Sequence, residues 1–382
     1  MPAREVESYL AQLLHATPES LHPIVDKFQR YYDRKLWHQL TLAVFEFLEH
    51  PDSKPFQVDL FTNFISDFQA KLDKLRLAQI GVKVSKEITP ESQDHLKFLI
   101  ALKDKIPVAE HAQAHAYVLA SLAHGKLLFA DVLGSRADLE EAGKLLEGVD
   151  GVDRSVNAAF YEVKADYHKL KGEYAPYYRH SLLYLACVDI ESDLTSKQRF
   201  DRAKDLSLSA FLADSIYNFG ELIMHPILDS LKHTPEEWLR NLLFTFNEGN
   251  IQKFDSLTPL FPKEPILQQS FPFLRQKICL MALIEAVFRR KPSERTLTFQ
   301  TIAEETQTPL GEVEHLVMKA LSLKLIAGSL DEPAGKAHIT WVQPRVLSRP
   351  QIEALSGTLT SWLEKMEGLE GFVRTDGGLV TA

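Results

Sequence analysis

Two long stretches of this chain, Ile24 to His50 and Tyr177 to Phe219, contain neither glycine nor proline. Glycine is the most costly ordinary residue to order in a helix, and proline breaks the hydrogen-bond ladder. Stretches without either can hold several uninterrupted helical turns. Glycine is scarce overall, 17 of 382 residues, roughly 4–5% against an average near 7%. Hairpin turns draw on glycine, so the shortage disfavours a many-stranded β fold. Apolar residues at 45% and charged residues at 25% supply a sizeable core and argue against whole-chain disorder. The length suggests two to three domains. The net charge of −9 argues against a chain built around nucleic acid.

Helical patterns fill most of the sequence. Between Arg154 and Leu170, Val156, Phe160, Val163, Tyr167 and Leu170 form one amphipathic stripe. Gly172 breaks it, and a second helix follows with Tyr174, Tyr178, Leu182 and Leu185 on its expected inner face. A helix pair with a short turn is the unit of tetratricopeptide-like solenoids. Lys171 and Ala175 depart from that repeat's consensus, so the pairs read as degenerate hairpins. Further helices are expected over Pro18–Tyr32, Trp37–Glu49, Gln57–Leu77, Glu91–Lys105, His111–Val132, Ala137–Glu147 and Lys197–Phe211. Thr-Pro recurs at Thr17, Thr89, Thr234 and Thr308. Each pair is expected to start a helix, with the threonine capping and the proline in the first turn. Glu237 adds a capping box to Thr234.

The pattern changes after Pro292. A helix over Phe271–Arg290 precedes a β-prone piece at Thr296–Phe299 and a short helix at Gln300–Glu305. A further helix starts at Thr308-Pro309 and buries Val313, Leu316, Val317, Ala320 and Leu321. Leu325–Leu330 and Ala337–Val342 then read as strands flanking a turn cluster at Asp331–Gly335. That order is the order of a winged helix. From Ser348, capped by its own side chain and Gln351, a last helix carries Ile352, Leu355, Leu359, Trp362, Met366 and Leu369. Their 3-4-3-4-3 spacing is a heptad seam, narrower than an ordinary core stripe. An isolated helix of this length is marginal, so the seam needs a surface, and the narrow stripe favours a bundle with helices of other chains. The residues from Gly371 onward read as a flexible tail.

Catalytic constellations are absent. There is no Gly-x-Ser-x-Gly elbow, dinucleotide fingerprint, phosphate loop or His-Glu-x-x-His. His111 and His115 have a spacing that suits one metal ion, but no third ligand is near, and a packed or solvent-facing pair is expected. Cys187 and Cys279, the two cysteines, lie far apart and read as small buried hydrophobes. No cofactor, metal or small-molecule substrate is expected. The residues Met1–His15 lack a signal-peptide pattern, and no apolar run reaches 18 residues, so the expected compartments are cytoplasm and nucleus. Between Ser293 and Leu347 five basic residues face seven acidic ones, and Glu312 and Glu314 open the would-be recognition helix. That balance repels phosphate and favours a protein-binding winged helix, whose sheet edge can pair with another chain.

A helical-repeat array running into a winged helix resembles the PCI family, named for proteasome lid, COP9 signalosome and initiation factor three. The blocks His22–Val44, Leu72–Val82 and Ser215–Leu257 are similar to its proteasome-lid members, so the resemblance spans nearly the whole chain. It implies a mainly α fold: a right-handed, tetratricopeptide-like solenoid over 1–170, then a PCI domain over 171–345. The PCI domain divides into a helical part, 171–292, and a winged helix with a small β-sheet, 293–345; an assembly helix and tail occupy 346–382. It also implies a non-catalytic scaffold in a hetero-oligomer, with other lid PCI subunits and the lid deubiquitinase subcomplex as partners. The isopeptidase of the lid is a different subunit, whose glutamate and His-x-His metal motif this sequence lacks. Carried over, Ile352, Leu355, Leu359, Trp362, Met366 and Leu369 would enter a common helix bundle. Leu325, Ile326, Leu330, Ile339 and Trp341 would lie at a winged-helix edge near the neighbouring subunit. The alternatives are a scaffold of another PCI complex, a nucleic-acid-binding winged helix and an enzyme with an unrecognised site.

Overall fold

The structure, a computed structural model, describes residues 3–88, 93–108, 110–291, 294–346 and 349–376. The Thr89-Pro90 pair, the Ser348 capping box, the 292/293 boundary and residues 377–382 of the expected tail lie outside the described residues. The chain divides into two compact units, Met1–Thr195 and Ser196–Ala382. Residue 170 therefore falls inside the first unit, within a helix pair that packs together.

Among the described residues of the first unit the regular structure is helical, with turns between the helices. It runs α1 (Ala3–Ala16), α2 (His22–Asp33), α3 (Trp37–Glu49), α4 (Gln57–Leu60), α5 (Ser66–Phe68), α6 (Lys74–Ser85), α7 (Gln93–Asp104), α8 (Ala112–Leu128), α9 (Val132–Glu147), α10 (Arg154–Lys171) and α11 (Tyr174–Cys187). Neighbouring helices pack in pairs, α8 on α9 and α10 on α11, and α8 also meets α6 and α10, which stacks the pairs. Gly172 ends α10 at φ 70°, the left-handed conformation that a side chain disfavours. Asp153 caps the same helix at its start by accepting from the Ser155 amide at 2.8 Å.

Several expectations need correction here. The expected helix over Gln57–Leu77 is interrupted. A π-helical turn at Phe61–Ile65 joins α4 to α5, and the chain leaves helix before α6 begins. The wide turn keeps Phe61, Phe64 and Phe68 all buried. Phe64 meets Phe28 at 5.6 Å and Phe68 at 5.1 Å, and Trp37 stacks on Phe68 at 5.8 Å. On α11 the buried rings are Tyr177, Tyr178 and Tyr184, whereas Tyr174 is exposed, as is Leu170 at the end of α10. The described Thr-Pro pairs do not cap. Thr17 and Thr234 turn their hydroxyls back to the carbonyls of Leu13 and Leu231, and Thr308 bonds Thr306. Glu237 accepts instead from the His233 amide at 3.3 Å.

The second unit has a helical half and a winged-helix half. The helical half contains α12 (Ser196–Leu212), α13 (Gly220–Met224), α14 (Glu237–Glu248), α15 (Ile251–Leu257), α16 (Pro265–Gln269) and α17 (Phe271–Phe288). Phe211, Phe219, Phe246, Phe254, Phe261 and Phe271 form a connected run of rings through its core. The winged helix follows as β1 (Thr296–Thr298), α18 (Phe299–Thr306), α19 (Leu310–Ser322), β2 (Ile326–Asp331) and β3 (Lys336–Val342), and then α20 (Arg349–Asp376) ends the unit. Helix α20 continues past Gly371 to Asp376, so residues 371–376 of the expected flexible tail are helical. The sheet is antiparallel with order β1-β3-β2. Leu297 pairs with Ala337, and Leu330 pairs with Ala337 from the other side. A bulge at Ala327/Gly328 shifts the β2–β3 register.

Helix α17 is buried almost all round, and it carries a charge inside that core. Lys277 is 1% exposed. Its ammonium donates to the carbonyls of Ala210, Phe211 and Ala213 at 2.8, 3.1 and 2.6 Å. The first two belong to the last turn of α12 and the third follows it, where helix-end carbonyls lack intrahelical donors. The rings of Tyr217, Phe219 and Phe273 surround the same ammonium at 5.3–5.8 Å. Burial pushes the Lys277 pKa down to about 7, and Asp214 opposes the fall.

Two outcomes follow. Lys277→Met keeps the volume but leaves three buried carbonyls without a donor, so the second unit loses about 3 kcal/mol; an unchanged urea midpoint contradicts this. At Gly328 an added Cβ would lie 2.1 Å from the His338 carbonyl oxygen of β3. Gly328→Ala therefore forces β2 away from β3, and hydrogen exchange of the β2 amides accelerates roughly tenfold. Protection equal to wild type would show that the bulge absorbs the methyl.

Candidate functional site

The winged helix presents less surface than its sequence suggests. Strand β3 is central, so Ile339 and Trp341 do not lie on an edge strand, and the long edge is β2. Sequence order hides this, because the last strand inserts between the other two. Leu325, Ile326 and Ile339 are each 2% exposed and point into the core of the module. Their side chains are not available to a partner, which corrects the expected edge. Leu330 is half-buried and Trp341 is 45% exposed. What β2 offers outward is its unpaired backbone, bare at Gly328, and the exposed side chains of Ala327, Ser329 and Asp331.

The charge reading of the module is sharpened by the structure. Glu312 is exposed at the start of α19. Arg345, one of the five basic residues of the segment, is buried: its guanidinium donates to Glu285 at 2.5 Å with the side chain 8% exposed. Burial pushes the Arg345 pKa down, while Glu285 holds it up. Arg290 is bound to Glu305. Two of the positive groups beside the winged helix, Arg290 and Arg345, are thus engaged by carboxylates.

Helix α20 is the opposite case. Every described side chain from Ile352 to Gly371 is exposed. Ile352, Leu355, Leu359, Trp362, Met366 and Leu369 lie on this helix at 48–65% exposure. Leu363, at 59%, joins them and was missed by the strict heptad spacing, although its position four residues after Leu359 was visible. The seam is therefore a broader stripe on a helix of 28 residues, ~42 Å long. No described side chain of this stripe is buried against the rest of its own unit. Contiguous exposed apolar area of this kind is uncommon on a monomeric protein surface.

The first unit holds a groove of about 770 Å³ lined among others by Lys86, Tyr117, His124, Arg154, Glu162 and Cys187. Its chemistry does not suit a nucleophile. Cys187 is half-buried, less enclosed than expected, and burial pushes its thiol pKa up while Arg154 opposes the rise. A reactive cysteine needs the reverse. Cys279 is buried as expected. The His111/His115 pair does not converge: His115 is buried with Nδ1 against the Ile106 carbonyl at 3.0 Å, and His111 lies near Glu110. Among the described residues no group of three or more His, Cys, Asp or Glu is placed to hold a metal ion. Among them, too, no helix is long and apolar enough to cross a membrane.

Matches to known families divide the chain later than its two compact units do. Residues 24–243 match the family described as PSD13 N-terminal repeats, and residues 258–341 match the PCI domain. The chain is 37% identical to the probable 26S proteasome regulatory subunit rpn9 of Schizosaccharomyces pombe, covering 98% of each chain. It is 36% identical to the 26S proteasome non-ATPase regulatory subunit 13 homolog B of Arabidopsis thaliana, covering 94% of each. It is 35% identical to the 26S proteasome regulatory subunit RPN9 of Saccharomyces cerevisiae, covering 96% of this chain and 95% of the relative. A weaker similarity, 25% identity over 46% of this chain, reaches the eukaryotic translation initiation factor 3 subunit M of Emericella nidulans. A full-length match to these relatives, on helical repeats that lead into a winged helix, establishes that the chain belongs to the PCI-domain family of 26S proteasome regulatory subunits with PSD13-type N-terminal repeats.

Proposed function

We propose that this protein is a non-catalytic structural subunit of the proteasome regulatory-particle lid, which scaffolds lid assembly for ubiquitin-dependent protein degradation. The observation that carries the reading is the exposed apolar stripe of α20 on a chain related along its whole length to proteasome regulatory subunits. The mechanism is geometric. Helix α20 enters a bundle with helices of other lid PCI subunits through Ile352, Leu355, Leu359, Trp362, Met366 and Leu369, with Leu363 beside them. The open edge of β2 supports side-by-side contact with a neighbouring winged helix through backbone hydrogen bonds. The deubiquitinase subcomplex of the lid is held by the same assembly. The protein works in cytoplasm and nucleus, and takes no cofactor, nucleic acid or small-molecule substrate.

Energetics support a bundle contact. A large apolar side chain gains about 1.5–3 kcal/mol on full burial. Half-exposed side chains retain roughly half of that gain to be realised, and a preformed helix has less ordering left to undergo on docking. Leu359→Ala together with Trp362→Ala therefore weakens incorporation into a reconstituted lid on the order of a hundredfold, a loss of about 3 kcal/mol. Both residues are exposed, so the circular dichroism and unfolding of the free chain stay unchanged. Normal co-purification of the double variant with lid subunits would overturn the assembly reading.

A further inference from the structure

Helix α20 has no described side chain buried from Ile352 onward, yet Gln343, Arg345 and Val346, shortly before it in the chain, are each held by the rest of the unit. The Gln343 amide donates to the Leu325 carbonyl at 2.8 Å. Arg345 is the firmest point. One guanidinium nitrogen, Nη1, donates to Glu285 of α17 at 2.5 Å. The other, Nη2, donates to Asn247 of α14, to its backbone carbonyl and to Oδ1 at 3.0 Å. Glu285 is itself 12% exposed and also accepts from Arg289 at 2.8 Å. Val346 then sits over Gly220 of α13. A Cβ added at that glycine would lie 2.3 Å from the valine Cβ, so only glycine leaves room for this seat.

Three separate parts of the second unit, α13, α14 and α17, thus grip a segment that ends three residues before α20. A buried, multiply bonded arginine is a costly way to fix a surface linker. It is economical only if the direction in which the chain leaves is what matters. We infer that the Arg345–Glu285–Asn247 clamp, with the Val346 seat on Gly220, is a positioning device that sets the direction of α20 and presents its apolar stripe to partner helices in one orientation. The inference rests on the assembly reading above and adds the residues that make the docking helix preorganised. Sequence gave no sign of it, since Arg345 and Glu285 are 60 positions apart.

Preorganisation acts on affinity through the fraction of molecules that are competent to dock. If loosening the root leaves about a tenth of the population in the docking orientation, apparent affinity falls roughly tenfold. The test uses the full chain on a Cys187→Ser background, with spin labels at Gln300→Cys in α18 and Thr360→Cys in α20, both exposed positions. Pulsed dipolar spectroscopy should give one narrow distance distribution for the otherwise native chain. Arg345→Ala should broaden it and lower incorporation into the lid roughly tenfold. Removing the arginine leaves Glu285 less well paired and threatens the fold, so Gly220→Ala is the second variant: it disturbs the Val346 seat and touches no charge. It should broaden the distribution and weaken incorporation in the same direction.

A broad distribution in the native chain, or unchanged distributions in both variants, would overturn the clamp. Broadened distances with undiminished incorporation would overturn its role in docking. Failure of the assembly reading has a different signature: the Leu359→Ala, Trp362→Ala chain would assemble normally, whatever the distances show.

Discussion

Helix α17 is the element on which the second unit depends. It is long, apolar on nearly every face, and buried along most of its length. A helix of that kind has no solvent side, so every neighbour must be fitted around it. Its contacts differ in kind along its length. Lys277 closes the open end of α12 with three hydrogen bonds. Near Ala282 the turn after α14 approaches so closely that Gly249 has no space for a side chain. Glu285, one turn further, receives Arg345 from the far end of the winged helix. One helix thereby fixes the helical half, the winged helix and the root of α20.

That arrangement explains why polar groups are buried where an apolar core would be more stable. Buried ion pairs contribute little net stability compared with well-packed hydrophobic residues. Arg345 cannot bond Glu285 and Asn247 together in more than one arrangement, whereas an apolar side chain would accept several. The contrast with α20 is informative. Its stripe is exposed throughout, while Arg345, four residues before the helix, is bonded to both α14 and α17.

Much of this was legible in the sequence because periodicity reports burial. The pattern predicts Trp37–Glu49 to the residue, α10 to within one, and the strands of the wing to within one residue at each end. The failures have physical causes. No glycine or proline marks the break after Phe68, because a π turn and a short coil satisfied by buried rings ended the helix instead. Threonine before proline suggested caps, but Thr17 and Thr234 bond carbonyls behind them, which suits a residue ending one segment as well as starting the next. The edge strand was misplaced because alternation along a strand shows which side chains point inward but not which strand lies in the middle. The stripe on α20 was found because its spacing is local; the Arg345 clamp was not, because it joins residues distant in sequence.

The central claim is that the apolar face of α20 is covered by helices of other subunits. The most direct measurement is site-specific photo-crosslinking from a photoreactive residue placed at Trp362 in particles assembled with the full chain. Crosslinks to helices of neighbouring lid subunits are the result this account predicts. Crosslinks confined to the chain itself, in particles that contain it, would contradict it.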